Sequence, residues 1–361
     1  MIKKKKLFPV ICIVFCILYI ILSLRPLSKE LHLSTKWTVS SARATVKNQN
    51  EIEKTSLIPF KTSQNLGYFT ENGEIYSSLS FPYKAVITKD YYAFYGTHDK
   101  EIKVYSSSGN QISSIKIQGF PYFTKNDLYV MLPGGQSFVC LDEKFNEKYR
   151  FENYSPITSF SSSKSGTIAG FADGNIICFD KNGKIFQQYK PGGSEYNIIL
   201  GAALSDSGTY SACVSGQNRQ RFVLAKKDNA LTTIIFHEYL DEQMNNQALV
   251  KFSEDETKCY FAFKNGLGIV DLKNLKSSHL KVKGKILSIY EAPKENCTFV
   301  LSKIPLENEN QNQYFVSVIE NFDNFNGSFS FKAKNAFIKT KENILFVGKD
   351  ETISRIEISH K

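Results

Sequence analysis

The residue types that do chemistry are present in this chain, but their spacing is not that of a reactive site. Five cysteines lie beyond the N-terminal segment: Cys140, Cys178, Cys213, Cys259 and Cys297. Thiolates at CxxC spacing hold zinc or exchange disulfides. Here neighbouring cysteines are 35 or more residues apart, each inside an apolar run, and an odd number cannot all pair internally. They read as small core residues. His98, His237, His279 and His360 form no HExxH and no spaced metal pair. GxSxG and the phosphate-cradling P-loop are absent. "LPGGQS" and "KPGGSE" are Gly-Gly turns without a helix to follow. "GNIICFDKNGK" sets acidic and Asn residues beside a Gly, but not at EF-hand spacing. The expectation is no catalytic residue, no metal and no cofactor.

Binding is the chemistry left, and loops carry it. Three stretches are longer than their neighbours: "SGQNRQR" (Ser215–Arg221), "HEYLDEQMNNQ" (His237–Gln247) and "IPLENENQNQ" (Ile304–Gln313). Arg219, Arg221, His237, Glu238, Asp241 and Glu242 are the expected partner-binding residues, a mixed-charge patch. The formal charge of +10 does not point to nucleic acid. Residues 1–50 hold +8 of it, leaving +2 for the rest, whereas a phosphate binder needs its basic stripe on the folded part.

The elements that must hold these loops repeat. "CFDKNGKIFQQYK" (Cys178–Lys190) is two apolar runs around the turn Asp180-Lys181-Asn182-Gly183. Similar hairpins recur: "IKVYSSSGNQISSIKI" (Ile102–Ile117), "FVCLDEKFNEKYRF" (Phe138–Phe151), "FVLAKKDNALTTIIF" (Phe222–Phe236), "LGIVDLKNLKSSHLKV" (Leu267–Val282) and "FVSVIENFDNFNGSFSF" (Phe315–Phe331). Two more strand-like runs precede each, making four strands per unit. A period near ~40 residues with four strands is a β-propeller signature. Six complete units fall at 84–117, 118–151, 156–189, 197–236, 247–282 and 285–331. Asn335–Ser359 supplies three more strands, and a spare strand at Glu74–Ser80 is expected to complete them. The fold class predicted is therefore all-β, a seven-bladed propeller of four-stranded antiparallel blades.

"LSDSGTYSACV" (Leu204–Val214) resembles the Ser/Asp–Gly turn between the first two strands of WD-repeat-like propeller blades. "SSSKSGTIAGF" (Ser161–Phe171) and "FSEDETKCYFAF" (Phe252–Phe263) resemble it more weakly. The likeness covers residues 67–359 and implies architecture, not activity. Quinoprotein propellers carry repeated Trp motifs, and no Trp occurs in these blades. Sialidase-type repeats need Ser-x-Asp-x-Gly-x-x-Trp, and Leu204 stands where Ser belongs.

Ahead of the repeat, Lys3–Lys6 precede an uncharged apolar run, Leu7–Leu24. The expectation is a cytoplasmic stub (1–6), a transmembrane signal anchor (7–24), a linker (25–66) and a propeller (67–361) outside the cytoplasm. Trp37, in the linker, is a candidate for the lipid–water boundary. The predicted function is a membrane-anchored scaffold for a protein or cell-envelope partner. The alternative is a small-ligand binder or hydrolase using the central channel. A third reading resembles the propeller lipoproteins of outer-membrane biogenesis, without their lipidation site.

Overall fold

The computed structural model describes residues 12–19, 30–44, 57–62, 64–229, 231–307 and 309–360. Eight small antiparallel sheets follow one another around a ring. Blade 1 runs from Ile58 to Ser80, blade 2 from Lys84 to Ile115 and blade 3 from Phe120 to Phe151. Blade 4 is Ile157–Tyr189, blade 5 Tyr196–Tyr239, blade 6 Val250–Lys281 and blade 7 Lys285–Ala333. Blade 8 combines three C-terminal strands between Ala336 and His360 with an N-terminal one, Leu31–Ser40. The first strand of each blade, or Ala336–Lys341 in blade 8, is innermost and lines the central channel.

The turn chemistry acts as its residue types require. Asp180 Oδ1 accepts from the backbone N–H groups of Asn182 and Lys184 at 2.8 and 2.9 Å, and Gly183 takes the positive φ of 83° that the turn needs. Asp142 does the same for Asn146 and Lys144, and Asp271 for Lys273 and Asn274. Those backbone donors hold the Asp142 and Asp271 carboxyls below their usual range.

Burial explains why the sheets close into a ring. Middle strands such as Gly166–Phe171 and Phe138–Leu141 are buried along their whole length, so each blade needs a neighbour on both faces. Among the described residues eight apolar clusters form, one at each junction between successive blades. The junction of blades 3 and 4 packs Phe138, Phe171 and Phe179, with Phe138 edge-on to Phe179 at 5.5 Å. That of blades 5 and 6 stacks Phe222 on Phe261 with centroids 4.1 Å apart.

The ring has eight blades rather than the expected seven. Gly67–Phe81 does not complete the C-terminal sheet. Asn65–Phe69 and Ile75–Ser80 belong to a three-stranded blade of their own. One face of that blade sets Phe60, Phe69 and Ile75 against Ile344, Phe346 and Ile353 of blade 8; the other sets Leu66, Tyr68 and Tyr76 against Ala85 and Tyr92 of blade 2. One borrowed strand could not fill both junctions. The strand that completes blade 8 is Leu31–Ser40, paired antiparallel with Thr352–His360 from Leu31↔His360 to Ser40↔Thr352. Trp37 therefore does not mark a lipid boundary. It packs over Phe346 (centroids 6.1 Å) at the seam that closes the ring.

The expected membrane-spanning helix is also corrected. The described helix covers residues 12–19, which rises only about 12 Å against a hydrocarbon core of roughly 30 Å. Among the described residues no helix is long and apolar enough to cross a membrane. The remainder of Leu7–Leu24, and Lys3–Lys6, lie outside the described residues.

Candidate interaction face

In blades 2 to 7, each of four strands, the chain enters along the innermost strand and leaves along the outermost. The connections between those blades and their turns between second and third strands therefore share one end of the ring, the linker face. Large exposed aromatics concentrate there. Tyr83 (76% exposed) and Tyr154 (97%) sit in linkers. Phe120 and Tyr196 open innermost strands, Tyr122 lies two residues further in, and Tyr239 ends the outermost strand of blade 5. Among the described propeller residues only Phe325 lies away from this end. The six side chains span consecutive blades, from the linker into blade 2 to the end of blade 5. Exposed Tyr and Phe are what protein interfaces enrich.

Neighbours hold several of these rings. Tyr122 meets Phe160 edge-on at 5.7 Å, Phe120 meets Tyr95 at 6.3 Å, and Lys84 Nζ stands 5.1 Å from the Phe120 ring. The Arg219 guanidinium lies over Tyr239 at 5.0 Å. An aromatic already fixed in place loses little freedom on binding.

Blade 5 shows how the loops are stiffened. Gln220 is buried. Its Nε2 donates to the Gly216 and Met244 carbonyls at 3.0 Å each, and its Oε1 accepts from Met244 N at 3.1 Å. That joins the turn at 218–219 to the linker between blades 5 and 6. Asn218 takes a φ of 49° and Arg219 a φ of 64°. Asn218 N donates to Gln243 Oε1 at 3.1 Å, its Nδ2 donates to Glu195 Oε2 at 2.9 Å, and Ser194 Oγ donates to the Arg219 carbonyl at 2.8 Å. Gln247 Nε2 reaches the Thr158 carbonyl of blade 4 at 2.9 Å.

The six predicted binding residues separate by environment. Arg219 is on the linker face and part of the aromatic arc. His237 is exposed, its ring 6.1 Å from Tyr239. Asp241 is exposed, and Glu242 pairs with Lys264 at 3.3 Å. Glu238 accepts from Ser277 Oγ at 2.6 Å and meets His279 Nε2 at 2.9 Å, tying the outermost strands of blades 5 and 6 together. Arg221 is buried and donates to the Pro191 carbonyl, with its guanidinium under Gly193, where a Cβ would approach to 2.6 Å. Its role is to support the turn. Sequence reasoning missed Gln220 and the aromatic arc. The signal available was the recurrence of Tyr or Phe at or beside blade starts: Tyr83, Phe120, Tyr154 and Tyr196.

The cysteines are buried and unpaired in the five blades that hold them. Burial pushes the thiols up, Cys140 to about 11 and both Cys213 and Cys297 to about 12, so they stay protonated and are poor nucleophiles. Among the described residues no three His, Cys, Asp or Glu side chains stand close enough to hold a metal ion.

A closed ring of small antiparallel sheets, seven of four strands and one of three, defines a β-propeller. The profile of the beta-propeller protein family matches residues 1–361, and the chain belongs to that family. An uncharacterized protein of Treponema pallidum (strain Nichols) is 25% identical over 366 aligned residues, covering 99% of this chain and 95% of the relative. Among solved structures, BamB from Moraxella catarrhalis superimposes with a TM-score of 0.60 at 10% identity, covering 90% of this chain and 100% of that one. Hsv2 from Kluyvelomyces marxianus gives 0.53 at 12% identity, covering 78% and 96%. At such identities these likenesses show the fold alone.

Proposed function

We propose that this propeller is a rigid platform for a protein partner, with the linker face of blades 2–5 as its contact surface. The observation that carries this reading is the segregation of exposed aromatics. Tyr83, Phe120, Tyr122, Tyr154, Tyr196 and Tyr239 occupy one end of the ring, with Arg219 stacked among them. Where neighbours hold the ring, as at Phe120, Tyr122 and Tyr239, such a side chain acts as an anchor at a reduced ordering cost. Buried protonated thiols offer nothing for covalent chemistry, which favours binding over catalysis.

Site-specific photocrosslinking in living cells tests this. A photoreactive residue at Tyr154 or Tyr196 is expected to give one discrete adduct, and the same residue at Phe325 none. Equal labelling at all three positions, or none at any, overturns the assignment of the face. We also infer export of the propeller to a cell-envelope partner, on the strength of Lys3–Lys6 ahead of an apolar run. A fused reporter active only outside the cytoplasm tests that separately.

A further inference from the structure

A cavity of about 440 Å³ lies among blades 3 to 6. Its walls come from innermost strands: Tyr122 in blade 3, Phe160 in blade 4, Leu200 in blade 5 and Val250 in blade 6. Linker residues Gln247–Leu249 close one side, which places it at the linker end of the channel. Ala248 N donates to the Leu200 carbonyl at 2.9 Å, setting Leu200 level with the linker that enters blade 6. A Cβ on Gly201 would come within 2.2 Å of the Ala248 carbonyl oxygen, so the linker lies directly against the blade 5 strand. Gln247 continues past that strand, and its Nε2 donates to the Thr158 carbonyl of blade 4 at 2.9 Å.

The chemistry of the lining is narrow. None of the residues around the cavity is charged. Lys251 follows Val250, but its Nζ donates to the Ile289 carbonyl of blade 7 at 2.7 Å. A charged group inserted into the cavity would be buried without a partner, at a high cost. Two of the lining hydroxyls serve the ring itself: Thr158 Oγ1 donates to the Gly170 carbonyl and Ser161 Oγ to the Ala202 carbonyl, both at 3.1 Å. The side-chain oxygens of Tyr122, Ser159 and Gln247 make no hydrogen bond among the described residues. Hydroxyls that can donate and an amide oxygen that accepts complement the C=O and N–H of a peptide group. The apolar wall is held in place. Phe160 meets Tyr129 and Phe138 edge-on at 5.0 and 4.9 Å, and Tyr122 meets Phe160. A cavity formed in advance costs little to fill.

We propose that the partner of the linker face anchors itself in this cavity with one apolar side chain of Leu, Met or Phe size, carried on an uncharged stretch of backbone. The inference rests on the linker face as the contact surface, and Tyr122 belongs to both. A cavity of ~150 Å³ holds one benzene ring. About 440 Å³ therefore takes a branched or aromatic side chain together with the peptide groups beside it. Continuity with the aromatic arc through Tyr122 favours a polypeptide over a free small molecule. An apolar anchor seated in a pocket, with aromatics around its mouth, is how interface hot spots are built.

The probe is a display library of random peptides selected on the full-length protein, with enriched peptides then synthesised and titrated by calorimetry. They are expected to share a Leu, Met or Phe within an uncharged stretch. Changing that residue to Ala or Lys should weaken binding roughly tenfold or more. Ser159→Phe, which puts a ring into the cavity, should weaken it as much, and Gln247→Leu, which withdraws the amide, should weaken it too. Lys332→Met, an outer-rim change at the Glu309 pair, should leave it unaltered. A second measurement needs no variant of the protein: photo-leucine at the shared apolar position of the peptide should label Tyr122, Phe160 or Leu249. No enrichment, a charged consensus, or label outside the cavity overturns the proposal. Peptides that lose affinity on Tyr154→Ser or Tyr196→Ser but not on Ser159→Phe overturn the anchor and leave the linker face standing. Peptides that need the cavity, with no adduct in cells at Tyr154 or Tyr196, support the anchor and overturn the face.

Discussion

Ring closure at Trp37 can be tested by a double-mutant cycle with Gly73. The indole packs over Phe346, and Gly73 lies beneath it at a φ of 90°, where a Cβ would come within 3.1 Å of the ring. Truncating a core aromatic costs about 3–5 kcal/mol. Trp37 is half-buried, which puts Trp37→Ala near the low end, about 3 kcal/mol. At about 2.1 cal/mol/K per residue, the unfolding entropy of a chain this long is roughly 0.8 kcal/mol/K, so the midpoint should fall by about 4 °C. Gly73→Ala carries a backbone cost of about 1–2 kcal/mol for an L-residue in the left-handed region, and it also displaces the indole. In the Trp37→Ala background only the backbone part remains. The two changes should therefore couple by about 1 kcal/mol, with the pair less damaging than the sum. Trp37 is the only tryptophan, so its emission reports the seam directly and should shift red on unfolding. Additive costs, or a native emission already typical of indole in water, would falsify the packing of this strand on the ring.

Other consequences can be measured as well. His360 lies between Glu295 and Glu320, 2.9 Å from each, and those carboxylates raise its pKa above 6.5. Its stabilisation is complete below about pH 6.5 and is lost as pH rises through the folded value; His360→Gln should flatten that part of the stability profile measured by urea unfolding. Lys339 shows the opposite dependence. Its folded pKa of about 8 lies below the ordinary 10.5, so between those values the unfolded chain binds more protons and stability should rise with pH, a slope that Lys339→Met should remove. Arg221→Ala withdraws the support beneath Pro191–Gly193; hydrogen exchange should speed up at 190–195 while the middle strands of blade 5 stay protected. Glu238→Gln should loosen the outermost strand of blade 6 at Ser277 and His279, giving faster exchange there at a cost below about 1 kcal/mol, since the pair is partly exposed.

Much of the fold was legible because its information is local. Turn aspartates such as Asp142, Asp180 and Asp271 act on backbone within four residues, and the apolar runs between them set the strands, so the six complete units fell within a few residues of blades 2 to 7. The first blade and the closing strand were not legible in this way. In Leu31–Ser40 the alternation of Leu31, Leu33, Trp37 and Val39 is broken by a bulge between Thr35 and Trp37, and the strand is half-exposed, so its apolar signal is weak. Its partner lies at the other end of the chain, and no local rule reaches that far. The candidate face was half legible. Loop length pointed to the end of the ring where Arg219 and the exposed aromatics lie. It could not separate Arg219, stacked on Tyr239, from Arg221, buried under Gly193, two residues away.

By itself the amino-acid sequence determined a repeating four-stranded unit, the positions of its turns and the apolar middle strands, since each depends on neighbours along the chain. The tertiary structure alone decided the number of blades, the strand that seals the ring and the gathering of distant tyrosines onto one face. Those depend on how many sheets must stand side by side before every apolar face is covered, a condition met only when the whole ring closes.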